Sequence, residues 1–348
     1  MRLFDTRYPF MSAYLKGEEA KIMTSSHVSS MSNASSIQDV LEIIRDTDIG
    51  KYLEGLLITT FDELDEYLWM YFDDCLRRLE LFKPLPADIL KILNAYIVKY
   101  DVLNIKAALE GISTGRKAIM VPVGVIHNQG LLSELSSAGD VDGIVKLLVE
   151  GKLEGYASVL EEYKMDEGVE SRLLAEARLD GEYYKNLLNM TKDIIDGAIV
   201  SKSFTTIIDM TNLQIILRAI IGGIDLEAAG YTISGGYMIS EAVAKDLISL
   251  KLTEIPGRLE NTQYHNVVEE VITNYDRSRS ITVVEEIIEK HKFRLSQEIL
   301  SPRVLSPLVI VWYLILKEVE IRNLRLILKA MFDNIPVEEV RNYLVLSS

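Results

Sequence analysis

Two adjacent carboxylates, Asp73 and Asp74, come nearest to a chemical signature in this sequence. Clustered carboxylates on facing helices can hold Mg²⁺ against a diphosphate, the chemistry of isoprenoid-type enzymes. Three residues after Asp74 stands Arg77, where a carboxylate one turn on would be needed to face the same ions, and Arg78 adds a second cation. The pair therefore also fits the solvated face of an amphipathic helix. A soluble, all-α, Mg²⁺-dependent enzyme is the alternative reading of this chain, and it requires Asp73 and Asp74 to face a second acidic helix across a cavity. Gly111, Gly115, Arg116 and Lys117 look like a phosphate loop, but the glycines are one residue too close and no Ser or Thr follows the lysine. The segment also leaves a helix rather than a strand, so direct nucleotide binding is not expected. His27, His127, His265 and His291 are scattered, with none at ligand spacing from another His or from Cys75. The sequence thus assigns no catalytic, cofactor-binding or metal-ligating residue.

A different pattern runs the length of the chain. Three times an acidic residue stands three positions ahead of an Asn that opens an amphipathic stretch: Asp101 and Asn104, Asp209 and Asn212, Glu320 and Asn323. Successive acidic positions are 108 and 111 residues apart, and Thr47, Gly151 and Thr262 recur in step with them. Units of about 110 residues are far longer than solenoid repeats, and each is large enough to bury a small core. The expectation is three helical lobes over residues 1–112, 113–223 and 224–348. Residues three apart on a helix share a face, so the Asp/Glu and Asn side chains suit capping or bracing of neighbouring helices.

The elements carrying these motifs read as helices. Ile92, Leu93, Tyr96, Ile97 and Tyr100 follow a helical period, with Gly111 as the expected stop. Leu213, Ile216, Leu217, Ile220 and Ile221 repeat it before Gly222 and Gly223, and Ile321, Leu324, Leu328 and Met331 do so again. Long amphipathic runs at residues 61–81, 167–188 and 280–300 lie between them, Pro84 and Pro86 separate two helices, and strand-like alternation is scarce. Asp62, Glu63, Asp65 and Glu66 suit the positive end of a helix dipole. Glycine-bearing loops at 118–125 and 231–237 are expected at the lobe boundaries, and the Ser-rich stretch 24–36 reads as a helix break with local caps. The fold class is all-α.

Composition narrows the partners. The formal charge is −15, the wrong sign for affinity based on neutralising phosphates, so nucleic acid is not expected. The single cysteine, Cys75, excludes an intramolecular disulfide and reads as a buried small hydrophobe. Polar Asp5, Thr6 and Arg7 interrupt the place of a secretory leader. The longest apolar run, residues 308–316, falls short of the ~20 residues needed to span a bilayer.

The last motif, Lys317, Glu318, Val319, Glu320, Ile321, Arg322, Asn323, Leu324, Arg325, Leu326, Ile327, Leu328, Lys329, closely resembles the C-terminal signature of the C subunits of archaeal and V-type rotary ATPases, the counterparts of the eukaryotic d subunits. Tyr100, Asp101, Val102, Leu103, Asn104, Ile105, Lys106 is similar to the first family motif, and Asp209 to Leu213 with Arg218 to the second. Glu176, Ala177, Arg178, Leu179, Asp180, Tyr183 and Tyr184 resemble its mid-chain pattern. Gln214 departs from Lys106 and Arg325 at the equivalent place, and Pro122, Val123, Gly124 replaces a paired glycine, so the basic positions need not share one role. The resemblance implies three pseudo-threefold lobes forming a funnel. It implies a non-catalytic central-stalk rotor component, without cofactor, that seats the central shaft on the membrane proteolipid ring and transmits torque for ion transport coupled to ATP synthesis or hydrolysis. It further implies a monomer in isolation, one copy per hetero-oligomeric complex, placed peripherally on the cytoplasmic face of the membrane. Asp101, Asn104, Lys106, Asp209, Asn212, Arg218, Glu320, Asn323 and Arg325 are the structural or interface candidates.

Overall fold

A computed structural model describes residues 7–31, 33–79, 82, 85–164, 169–224 and 230–346, and the expected helix boundaries at Leu81 and Glu167, like Pro84, lie outside them. The chain begins with α1 (Arg7–Glu19), α2 (Ser25–Met31), α3 (Ile37–Ile43), α4 (Asp48–Leu53), α5 (Phe61–Leu79) and the long α6 (Ala87–Thr114). It continues through α7 (Val125–Asn128), α8 (Leu132–Ser136), α9 (Val141–Glu150), α10 (Glu154–Tyr163), α11 (Val169–Thr191) and α12 (Gly197–Gly222). The last third holds α13 (Glu241–Ile248), α14 (Ile255–Arg258), α15 (His265–Ser278), α16 (Thr282–Leu300), α17 (Leu308–Phe332) and α18 (Val337–Val340). No strand occurs among the described residues, and the fold is all-α.

The chain forms two compact units. One comprises residues 1–93, 121–123 and 300–348, the other residues 94–120 and 124–299. In the first, α17 packs against α5 and α1. Every residue from Leu308 to Lys317 is buried, so the longest apolar run is a core helix that is hydrophobic all round. In the second, α12 packs against α11 and α13, and Leu213, Leu217, Leu247, Val267, Val268 and Ile288 share one core. Burying each such aliphatic side chain contributes about 1.5–3 kcal/mol. By length and composition α12 is the one described helix able to cross a membrane, yet 56% of its apolar window is buried inside the protein, as in the core helix of a globular unit.

Two details differ from the sequence expectation. The motif Asn residues stand in the interiors of α6, α12 and α17 rather than opening them. Gly111 does not end α6, which runs to Thr114 and stops at Gly115 with φ +66°. Gly111 is small for another reason, because a Cβ there would lie 2.9 Å from the Arg116 carbonyl oxygen as the chain turns back. The stop at Gly223 is as read, with φ +66° and the N–H of Ile224 donating to the Ala219 carbonyl. α17 ends the same way at Asn334, φ +56°, with the N–H of Ile335 donating to Ala330. All three left-handed stops fall fourteen residues after the motif acid, a third marker in register that only the backbone makes visible.

The Ser-rich stretch contains α2 and then the break, after which Ser36 caps α3 in a reciprocal pair with Asp39. Thr47 caps α4 by accepting the Gly50 N–H at 3.0 Å. Gly50 and Gly197 share a device, since a Cβ at Gly50 would lie 1.9 Å from the Ile44 carbonyl oxygen and one at Gly197 1.7 Å from that of Thr191. Gly50→Ala and Gly197→Ala should each lower stability by about 1–3 kcal/mol through this overpacking. Gly181→Ala, in open space on α11, should raise it by about 0.5–1 kcal/mol. Thermal unfolding of the three variants checks both signs.

Candidate functional site

In each of the three motifs the acidic side chain takes backbone N–H groups from a segment remote in the sequence. Asp101 on α6 accepts from Val125 at 2.8 Å and Ile126 at 2.9 Å, at the start of α7. Asp209 on α12 accepts from Met238 at 2.7 Å and Ile239 at 2.9 Å, just ahead of α13. Glu320 on α17 accepts from Met23 at 2.8 Å, just ahead of α2. Carboxylates placed on such donors satisfy amides that a helix start leaves orphaned. The third motif returns to the beginning of the chain, so the braces run in cyclic order.

The Asn residues add a second grip. Asn212 exchanges two bonds with the backbone of Ile233, both 2.8 Å, and Asn323 does so with Val345, at 2.5 Å and 3.0 Å. Asn104 is equally buried. A primary amide can donate and accept at once, which is what pinning an isolated backbone segment demands.

The basic candidates follow the same cycle. Lys106 on α6 reaches Asp180 on α11 at 2.6 Å, Arg218 on α12 pairs with Glu285 on α16, and Arg325 on α17 reaches Asp65 on α5 at 2.6 Å. The substitution at Gln214 is thus accompanied by a base one turn later, Arg218, on the same helix. Asp65, expected to serve only the helix dipole, instead holds Arg325. Sequence reasoning missed this role, and one acid among four near the start of α5 gives little signal of it.

The surroundings of the three carboxylates differ. Burial raises the pKa of all three. Asp209 also accepts the Tyr264 hydroxyl at 2.6 Å, and burial together with the Asp209 charge pushes that phenol upward. Glu320 faces Lys317, wholly buried, at 3.1 Å. Lys317 in turn donates to the Tyr71 hydroxyl at 2.6 Å, which donates to Asp48 at 2.9 Å. Asp48 is held below the usual carboxylate range, burial notwithstanding, by Arg78, Lys317 and Tyr71. The spacing had placed Lys317 inside the last motif without marking it as the cation of a buried network.

The carboxylate pair of the alternative reading is engaged differently. Asp73 bonds Arg77 at 2.5 Å and Asp74 bonds Arg78 at 2.7 Å, each four residues on, so each is held by its own helix. Among the described residues no group of three or more His, Cys, Asp and Glu could hold a metal ion. Cys75 is buried, and burial lifts its thiol to about 11.

Among the described residues of this all-α chain, the repeated polar side chains are engaged with its own backbone and helices. Residues 11–343 match the model of the ATP synthase (C/AC39) subunit family, and the chain belongs to that family, whose members are stalk components of rotary complexes and not themselves catalytic. It is similar to the C subunit of the A-type ATP synthase of Methanocaldococcus jannaschii, 25% identical over 97% of this chain and 86% of the relative. The same-named proteins of Methanosphaera stadtmanae and Pyrococcus furiosus are each 26% identical over 97% of this chain, covering 88% and 90% of the relatives. The Mg²⁺-enzyme alternative finds no support in these relationships.

Removing one partner of a buried ion pair strands the other charge. Lys317→Met should therefore cost about 3–5 kcal/mol by leaving Glu320 without its cation. The double variant Lys317→Met, Glu320→Gln should recover part of that loss, and urea unfolding of the two side by side checks the difference.

Proposed function

We propose that this chain is the central-stalk rotor adaptor of an A/V-type ATP synthase or ATPase. It seats the central shaft on the membrane proteolipid ring, one copy per complex, at the cytoplasmic face and without crossing the bilayer. It transmits torque between ion flow and ATP chemistry carried out by other subunits. Its working units are three pseudo-threefold lobes, residues 1–112, 113–223 and 224–348, arranged as a funnel. Asp101, Asn104, Lys106, Asp209, Asn212, Arg218, Glu320, Asn323 and Arg325 serve as internal braces rather than as partner contacts.

The family match over residues 11–343 carries this reading. The cyclic braces support it, because a part that passes torque must resist shear between its helices, and close-packed elements joined by buried polar bonds do so. Partner contact falls to exposed side chains. Just beyond the three left-handed stops lie Ile119, Ile224 and Ile335, exposed by 75%, 58% and 40%. They give an acidic chain apolar contacts that persist as ionic strength rises.

With a net charge of −15, approach to an anionic lipid surface is repulsive, so docking follows ring proteins rather than lipid charge. The purified chain should bind liposomes carrying the reconstituted proteolipid ring and not protein-free anionic liposomes. Equal binding to both would contradict the adaptor role. Ile119→Ser, Ile224→Ser and Ile335→Ser should leave folding intact and weaken capture by ring or shaft at physiological salt.

A further inference from the structure

We propose that Asp101 is a pH-sensitive latch between α6 and the start of α7, firm on the acid side of neutrality and loosened as the pH rises toward it.

The three motif acids are alike in spacing and in holding remote backbone amides, two for Asp101 and Asp209 and one for Glu320, and they differ in what else answers their charge. At the position three residues before the acid, the third motif has Lys317, bonded to Glu320, and the second has Thr206. Asp209 also holds the Tyr264 phenol. The first motif has Val98 there, and among the described residues neither a cation nor a phenol bonds Asp101, which is wholly buried on two amides. Val98 and Ala95 instead line a cavity of about 240 Å³ together with Tyr156 and the charged Lys152, Glu154 and Glu182. The latch is also tightly fitted. A Cβ on Gly124, whose φ is +117°, would lie 2.4 Å from Asp101 Oδ1, so only glycine lets the chain close over the carboxylate.

The groups around Asp101 are few. On α6, Lys99 lies over the rings of Tyr96 and Tyr100, and Lys106 is committed to Asp180. On α10, Tyr156 feels the Asp101 charge and is raised to about 12 by burial first, then by Glu182 of α11 and Asp101. α7 itself carries His127. Burial, opposed only by the two amide bonds, lifts the Asp101 carboxyl to about 7. An open latch exposes Asp101 to water with an ordinary carboxylate pKa of about 3.9. The closed state therefore binds the proton more tightly. Its advantage is complete in acid and is lost as the pH climbs to about 7, above which it stays flat.

Amide hydrogen exchange of Val125 and Ile126, followed by NMR on the full chain and corrected for the intrinsic rate, reads the latch directly. Protection should fall about tenfold per pH unit between about pH 5 and 7 and level off above. Asp101→Asn, a neutral isostere, should abolish that slope. Val98→Lys, which places a cation where the third motif has Lys317, should flatten it by lowering the carboxyl pKa of the closed form. His127→Asn should leave it intact. Protection without slope in the wild-type chain, a slope that survives in either Asp101→Asn or Val98→Lys, or one that vanishes in His127→Asn, would overturn the proposal.

Discussion

A carboxylate in the middle of one helix, holding the amides at the start of another, is the contact on which this protein is organised. Burying a charge is costly, and the cost is tolerated only where donors are fixed in place around it. Asp101, Asp209 and Glu320 each meet that condition with backbone N–H groups from a later or, for Glu320, much earlier segment. The rest follows from this placement. The acids sit in helix interiors and the receiving chain passes close by, and in the first two motifs glycine stands where it passes closest. Gly236 meets Asp209 as Gly124 meets Asp101, with a hypothetical Cβ 2.1 Å from the carboxylate oxygen. The Asn three residues on then secures a second stretch of backbone to the same helix face.

A shared way of holding backbone amides does not impose equivalent electrostatics. The third motif recruits a buried lysine, a phenol, a further carboxylate and a guanidinium, so its charges answer one another over several residues. The second uses a phenol, a weaker donor that does not alter net charge. The first rests on its two amides. A network such as that around Lys317 is strong only when complete, since each member is desolvated on account of the others. One brace is thus heavily compensated and another reliant on hydrogen bonds alone.

Much of this was legible in the residues. The period of the acid and Asn pairs, the all-helical class, the stop at Gly223 and the bracing character of the motif could be read from spacing and composition. Gly111 was misread because a glycine near a helix end suggests a stop, whereas here it clears room for the returning chain and Gly115 takes the left-handed turn. The motif Asn residues resembled helix openers because polar side chains favour ends, yet the amides of Asn212 and Asn323 are spent on distant backbone at Ile233 and Val345. No local pattern encodes those partners, 21 and 22 residues away, nor the pairing of Arg325 with Asp65 across 260 residues. Such contacts depend on how helices pack, which periodicity does not specify.

The bond between Met23 and Glu320 spans 297 residues. On a ribosome moving at about 5–20 residues per second, the receiving amide waits about 15–60 s for its carboxylate to be made. Residues 94–299 contain nearly everything needed for one compact unit and can fold during that interval, while the other unit stays unfinished until residues 300–348 emerge. The nascent chain therefore carries α1, α3 and α5 with their α17-facing surfaces uncovered until α17 is made. That interval is when the protein is most exposed to misassociation, and it ends only when α17 docks against α1 and α5.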